Sequence, residues 1–319
     1  MLVTACEMTM RATLLLLLSA RWTPLQLGAL AFSGVPSLLP SLRVVGRRRP
    51  HTHQLATPAP DSHHVDEFWG KERSEAEVKS YIHACLDALE YDDDCDARVQ
   101  VVSAEPPLVI IHDFLSADMC QEIIDTAVES PNLKRSTTGE SNRESQSRTS
   151  STVWLRDDEC QTPLRVITDK VSVISGLPPS NMENLQVCRY LPGQEFKLHT
   201  DHQDSFNDLE CRGRVATCLL YLSEPEAGGE TWFPGLGETE ETEPKIAPTQ
   251  GSAVFFWNTI ERPGSPGYDP HGFLNVDLQL RHAGLPVVTG EKFIANRWVH
   301  PIDIGSGVRG TKEPAQATV

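Results

Sequence analysis

The chain has 319 residues, 39% hydrophobic and 23% charged, enough for one large globular domain or two small ones with a proper core. Its formal charge of −16 is uneven: the first 60 residues hold six arginines and one acid, which leaves −21 on the remainder. So acidic a body lacks the basic footprint of a nucleic-acid binder and suits a basic or neutral peptide partner.

The N-terminus reads as an address. In "RATLLLLLSA" a basic residue precedes a short apolar run, as in a secretory signal. The run is too short for a bilayer, which takes roughly 20 apolar residues, so membrane contact would require an uncleaved anchor. "GALAFSG" offers a cleavage-like Ala29-x-Ala31, and the stretch to Pro60 is Arg-bearing, Pro-rich and free of acids, the composition of a transit peptide. The expected location is the endoplasmic reticulum or secretory pathway, with bipartite plastid targeting as the alternative. Eight cysteines form no C-x-x-C pair, which argues against a zinc ribbon or thioredoxin motif and leaves buried thiols or one or two disulfides open.

"SEAEVKSYIHACLDALE" predicts a helix. Ser74 and Glu77 form a capping box, and Val78, Ile82, Cys85 and Leu89 share a face. "PLVIIHDFL" is strand-like, and "SADMCQEIIDTAVES" predicts a helix capped by Ser116. The polar stretch from Pro131 to Ser151 is a long loop, and its part from Lys134 to Arg148 is a candidate lid. "TPLRVITDKVSVISGL" predicts a helix closed by Gly176. From Asn184 onward the runs are short and strand-like: "LQVCRYL", "EFKLHTD", "VATCLLYL", "TWFP", "SAVFFW", "LQLRHAG" and "KFIANRWVHP". Turn residues separate them, which predicts a barrel or jelly roll with the helices buttressing one sheet: an α+β chain with a mainly β core.

Residues two apart on a strand face the same way, so His199 and Asp201 of "KLHTDH" point at one spot. His282 is the best third partner and His271 a weaker one. Two histidines and a carboxylate with open positions match the facial triad of non-haem Fe(II) oxygenases, although zinc hydrolases use similar sets. On the last strand, alternation puts Lys292, Ile294, Asn296, Trp298 and His300 on one face, which suits a cup that holds an anion beside an aromatic wall. Phe293, Ala295, Arg297 and Val299 take the other face.

The segments "SRTSSTVWL", "LQVCRYLPGQEFKLHTDH", "GRVATCLLYLSEPEAGGETWFP", "APTQGSAVFFW" and "RHAGLPVVTGEKFIANRWVH" occur in one order. With them, residues from about Pro107 to Pro301 resemble the catalytic domain of prolyl 4-hydroxylases, Fe(II)- and 2-oxoglutarate-dependent dioxygenases. The resemblance implies a double-stranded β-helix. It implies Fe(II) on His199, Asp201 and His282, and 2-oxoglutarate on Lys292 with Tyr190, Thr231 and Trp298 nearby. Arg214 and His300 then serve hydroxylation, O2 is the second co-substrate and ascorbate the reductant. With the N-terminal readings above, the chain divides into a targeting segment (1–60), an N-terminal helical extension (61–106), the dioxygenase domain (107–301) that the resemblance covers and a C-terminal tail (302–319).

His202, Arg281 and the insertion-like loop "NTIERPGSPGYDPHGFLNVDLQ" depart from the family pattern and are expected at the entrance. The expected substrate is a Pro-rich peptide, met by Trp232, Trp257, Tyr268 and Phe273 near the mouth. The acidic run Gly237–Glu243 would favour basic flanks. An oxygenase acting on another residue or a small molecule, a zinc hydrolase and a non-catalytic jelly-roll binding module are the alternatives.

Overall fold

Period-two alternation builds the core, and both faces of the main sheet are apolar because both are covered. The computed structural model describes residues 67–89, 98–136, 147–157 and 159–305. Eight strands form the larger sheet. In spatial order they are β1 (Arg98–Ala104), β2 (Pro107–His112), β11 (Ala253–Trp257), β7 (Ala216–Tyr221), β14 (Lys292–Val299), β5 (Leu185–Tyr190), β4 (Ser151–Leu155) and β3 (Lys134–Arg135). A smaller sheet runs β10 (Lys245–Ile246), β9 (Thr231–Trp232), β12 (His282–Gly284), β6 (Phe196–His199). A short ribbon joins β8 (Ala227–Gly228) to β13 (Val287–Thr289).

Leu108, Ile110, Cys188, Tyr190, Leu219, Tyr221, Val254, Phe256 and Ile294 of the larger sheet form one apolar cluster with Phe233, Ile246, Leu280 and Val287 from the smaller sheet and its connections. That is the interior of a two-sheet sandwich. Their neighbours one residue along, such as Val109, Ile111, Val187, Leu220, Phe255 and Ala295, pack in the opposite cluster against the helices. All pairings between these strands are antiparallel. The chain thus folds as a double-stranded β-helix with helices on one side, as its resemblance implied.

Among the described residues three helices cover the outer face. α1 (Glu75–Asp87) is closed at its start by the Ser74–Glu77 capping box and buries Val78, Ile82 and Cys85. α2 (Ala117–Glu129) is capped by Ser116 and buries Cys120, Ile123 and Ala127. α3 (Gln161–Ser175) ends at Gly176, whose φ of 74° is the left-handed conformation that glycine adopts without strain. Arg297, on the helix-facing side of β14, is 1% exposed and donates to Thr168 Oγ1, to the carbonyls of Leu164 and Glu183, and to Asp157, clamping α3 to the sheet.

Two sequence expectations change here. Strand β1 lies within the segment read only as a helical extension; its alternating Arg98 and Gln100 gave it little apolar signal. The run "LQLRHAG" is a single strand only at its end: Leu278–Leu280 form a 3-10 turn before β12. The six described cysteines are all free thiols, and only Cys211 is not buried. Residues 1–60 and most of the candidate lid fall outside the described residues. No described helix is long and apolar enough to cross a membrane.

Candidate functional site

Antiparallel register brings His199 of β6 directly opposite His282 of β12. Their rings stand 4.3 Å apart, and Asp201, two residues beyond His199, joins them. The His199 Nε2 lies 3.6 Å from Asp201 Oδ1, and the His282 Nε2 lies 3.8 Å from Oδ2. One ligand atom from each of the three residues can be chosen so that all lie within 4.8 Å of one another; no other His, Cys, Asp or Glu group among the described residues does this. His271 sits instead on an exposed loop, its amide donating to Asp269.

The surroundings fix the orientation of all three side chains. His199 Nδ1 donates to the carbonyl of Lys197 at 2.8 Å, and His282 Nδ1 to that of Leu280 at 3.1 Å. Each ring therefore carries its proton on Nδ1 and turns the Nε2 lone pair to the centre. Asp201 Oδ2 accepts from Thr217 Oγ1 (2.7 Å) and from the Trp298 indole (3.0 Å), and Asn258 in turn donates to Thr217. Burial, then the neighbouring His282, pushes the His199 imidazole far below its ordinary value. Burial would raise Asp201, but the two imidazoles, Arg214 and the Trp298 bond outweigh it and keep the carboxyl ionised. Two imidazoles that turn Nε2 to the centre and an anion around one point fit a divalent cation of iron or zinc type.

Two cavities meet at this centre, sharing Phe196, His199, Asp201 and Trp298. The narrow one is lined by Tyr190, Thr231, His282, Lys292, Ile294 and Asn296, among others. Lys292 is 3% exposed and donates to the carbonyl of Gly229 at 2.6 Å. Gly229 has φ +79°, and a Cβ there would sit 3.1 Å from Lys292 Cδ, so glycine suits this approach. Burial pulls the ammonium down to about 8. Among the described residues it makes no ion pair, so a buried cation with donors to spare faces a slot beside the triad. A carboxylate of a small dicarboxylate fits that position.

The second cavity is wide, about 760 Å³, and its aromatic lining is Trp154, Phe196, Phe206 and Trp298. Arg214 lies on this side, its guanidinium 3.4 Å from the centre of the Trp298 ring. Glu183 holds it with two bonds, to Nε at 2.5 Å and Nη2 at 3.0 Å. His300 Nε2 lies 2.8 Å from the same carboxylate, while its Nδ1 donates to the carbonyl of Cys211. Burial opposes a charged His300, but its bonds with Cys211 and Glu183 prevail and lift its pKa to about 9. Burial likewise opposes the Glu183 anion, and Arg214 and His300 overcome that and hold it at about 2.

The sign of the linkage follows. A histidine with a raised folded pKa stabilises the fold fully below its unfolded value of about 6.5 and loses this as pH rises through about 9. The destabilisation caused by His300→Gln, measured by urea unfolding, should be about 3 kcal/mol below pH 6.5 and shrink through pH 9. A pH-independent difference would mean that His300 is neutral in the fold.

His199, Asp201, His282, Lys292, Tyr190, Thr231 and Trp298 thus line the two cavities, and Arg214 lines the wide one. His300 stands behind Arg214 rather than on either wall. The expected aromatic mouth is elsewhere: Trp257 is fully buried against Trp69 on the helix side, Tyr268 packs on that same core, Phe273 is exposed, and Trp232 donates to Glu243. None of the four lines either cavity; nor do His202, Arg281 or the long loop before His282. Sequence reasoning missed Glu183, Thr217, Asn258 and Arg148. Arg148 and Thr217 lie inside the quoted "SRTSSTVWL" and "GRVATCLLYLSEPEAGGETWFP" but were given no role there.

A 2OG-Fe(II) oxygenase superfamily model matches residues 185–300. The chain is 35% identical over 218 residues to prolyl 4-hydroxylase 1 of Arabidopsis thaliana, a match covering 64% of this chain and 72% of that one. It is 32% identical over 211 residues to the human prolyl 4-hydroxylase subunit alpha-3, covering 64% of this chain and 35% of that subunit. Among solved structures, the viral collagen prolyl hydroxylase from Paramecium Bursaria Chlorella virus-1, in its 2OG complex, is 29% identical; the match covers 66% of this chain and all of that one, with a TM-score of 0.46.

Proposed function

The chain belongs to the prolyl 4-hydroxylase family of 2OG-Fe(II) oxygenases, and from that premise we propose that it hydroxylates prolyl residues of Pro-rich peptides at C4. The main support is one arrangement: a triad open between a slot ending in a buried lysine and a wide aromatic cavity. The superfamily's cofactors are Fe(II), 2-oxoglutarate and O2. When bound they supply the oxidation, one oxygen going to the substrate carbon and one to succinate, with CO2 released.

The residues divide the work. His199, Asp201 and His282 would hold the metal through Nε2, a carboxylate oxygen and Nε2, and leave its other positions open. Lys292 would pair with the distal carboxylate of 2-oxoglutarate, with Tyr190 and Thr231 along the slot. Trp298 fixes Asp201 through its indole N–H and separates the two cavities. Arg214, braced on Glu183 through Nε and Nη2, keeps Nη1 for a peptide carbonyl, and His300 keeps Glu183 in place. Pro-rich chains are already extended as polyproline II, so little ordering entropy opposes laying one along Trp154, Phe206 and Trp298.

Ascorbate would keep the metal ferrous. The family resemblance spans residues 107–301, and we assign to the same catalytic domain α1 and β1, which pack on its core and pair with β2; the apolar run Leu14–Leu18 supports action in the secretory pathway. Succinate release from 2-oxoglutarate, measured on a peptide panel with and without Fe(II), tests the activity, and mass spectrometry locates the product. One added oxygen on proline is expected. Oxygen gained only on other residues would keep the oxygenase and remove the prolyl assignment.

A further inference from the structure

The wide cavity is cationic in a strongly anionic protein. The chain has 44 acids against 28 bases, yet among the described residues this lining contains Lys134, Arg135, Arg148 and Arg214 against one carboxylate, Asp201. Asp201 is a triad member whose charge a bound divalent cation would more than offset. Glu183 neutralises one positive charge by pairing with Arg214, but the His300 bonded to it is itself a cation at neutral pH. Lys134 and Arg135 form β3, the outermost strand of the larger sheet. Lys134 is exposed and Arg135 half-buried, and among the described residues neither makes an ion pair. The acidic run from Gly237 to Glu243 does not touch this cavity; Glu243 accepts from Trp232 beside the smaller sheet.

We propose that this cavity selects proline peptides bearing Asp or Glu beside the target proline, with Lys134 and Arg135 as specificity-determining residues. This rests on the hydroxylase reading and deepens it by fixing the charge of the flank. It reverses the basic-flank expectation drawn from the acidic run, because proximity in sequence to a strand end did not put that run on the cavity wall. The physical basis is a cleft lined by one sign of charge, whose low-dielectric walls concentrate the field where a peptide must lie.

The test uses three proline peptides identical except for Glu, Gln or Lys at both flanks of the target. Each is fluorescently labelled and titrated into the full chain with Mn(II) and 2-oxoglutarate, and each is assayed separately for hydroxylation. At about 20 mM salt the Glu peptide should bind about tenfold more tightly than the Lys peptide, falling to about twofold at about 0.5 M. Lys134→Glu with Arg135→Glu should invert the order, whereas Glu240→Lys with Glu241→Lys should leave it unchanged. Equal binding, a Lys preference, or no measurable binding of any peptide would overturn the proposal. Hydroxylation of all three peptides without a charge preference would overturn it and leave the hydroxylase reading standing. A Glu preference in binding with no hydroxylation would do the opposite.

Discussion

His199→Ala, Asp201→Ala and His282→Ala should each remove 2-oxoglutarate-dependent turnover by more than about a thousandfold, because residues that act as one unit fail together when any one is lost. The three variants should differ in stability. Asp201→Ala leaves the Thr217 hydroxyl and the Trp298 indole without their shared acceptor in a buried place, which costs about 1–3 kcal/mol for each unsatisfied group. His199 is only half-buried, so His199→Ala should unfold close to the wild-type midpoint while losing activity. Titration with Co(II), followed by its visible absorption, reads metal binding separately from turnover. All three variants should lose the signal, and His271→Ala should retain both signal and turnover. An active His282→Ala beside a dead His271→Ala would place the third ligand on the long loop instead.

Much of this centre was legible from local pattern. Alternation along "KFIANRWVH" put Lys292, Ile294, Asn296, Trp298 and His300 on one face and Phe293, Ala295, Arg297 and Val299 on the other; β14 keeps that parity, the first set facing the site and the second the helices, while His300, past the end of the strand, stands behind Arg214. The capping box at Ser74 and the terminating Gly176 were equally readable, since both act within a few residues of chain. What stayed hidden depends on register between distant strands. Thr217 and Trp298 converge on Asp201 because the pairing of β7 with β14 sets them side by side, and nothing near Thr217 in sequence announces an acceptor. Glu183, which carries no local signal ahead of β5, is buried between Arg214 and His300, residues 31 and 117 positions away.

The misplaced aromatics failed for a related reason. Trp257 was assigned by its nearness to a loop. Its parity with Ala253 and Phe255 already put it on the helix side of β11, where it packs on Phe255 and Trp69. The acidic run near Trp232 misled in the same way. Face along a strand is set by the chain itself, whereas which loop borders the mouth is set by sheet topology, which no short window contains.

Lys292 offers the second large effect and a distinctive pH signature. Its ammonium is buried at the end of the slot, with Tyr190 and Tyr221 rings within 5.7 Å and a single hydrogen bond, to Gly229. Lys292→Ala should raise the 2-oxoglutarate requirement by hundreds of fold, since a desolvated carboxylate deprived of its partner costs about 3–5 kcal/mol. Lys292→Arg should be milder because the charge survives, although the planar fork cannot copy the ammonium's geometry. The pH dependence follows from burial. In the free protein the lysine titrates at about 8, and an anion binds the protonated form. The affinity of the wild type for 2-oxoglutarate should therefore be constant below about pH 7 and fall about tenfold per pH unit above about 8. Binding in Lys292→Arg should lose that dependence, because a guanidinium stays charged throughout the range. Calorimetric titration of 2-oxoglutarate into the Mn(II)-loaded protein from pH 7 to 9.5 separates this from any alkaline loss at His300, which lies behind Arg214 on the peptide side and away from the slot. A 2-oxoglutarate affinity unchanged in Lys292→Ala, or a wild-type affinity flat across pH 8, would move the anion site away from Lys292.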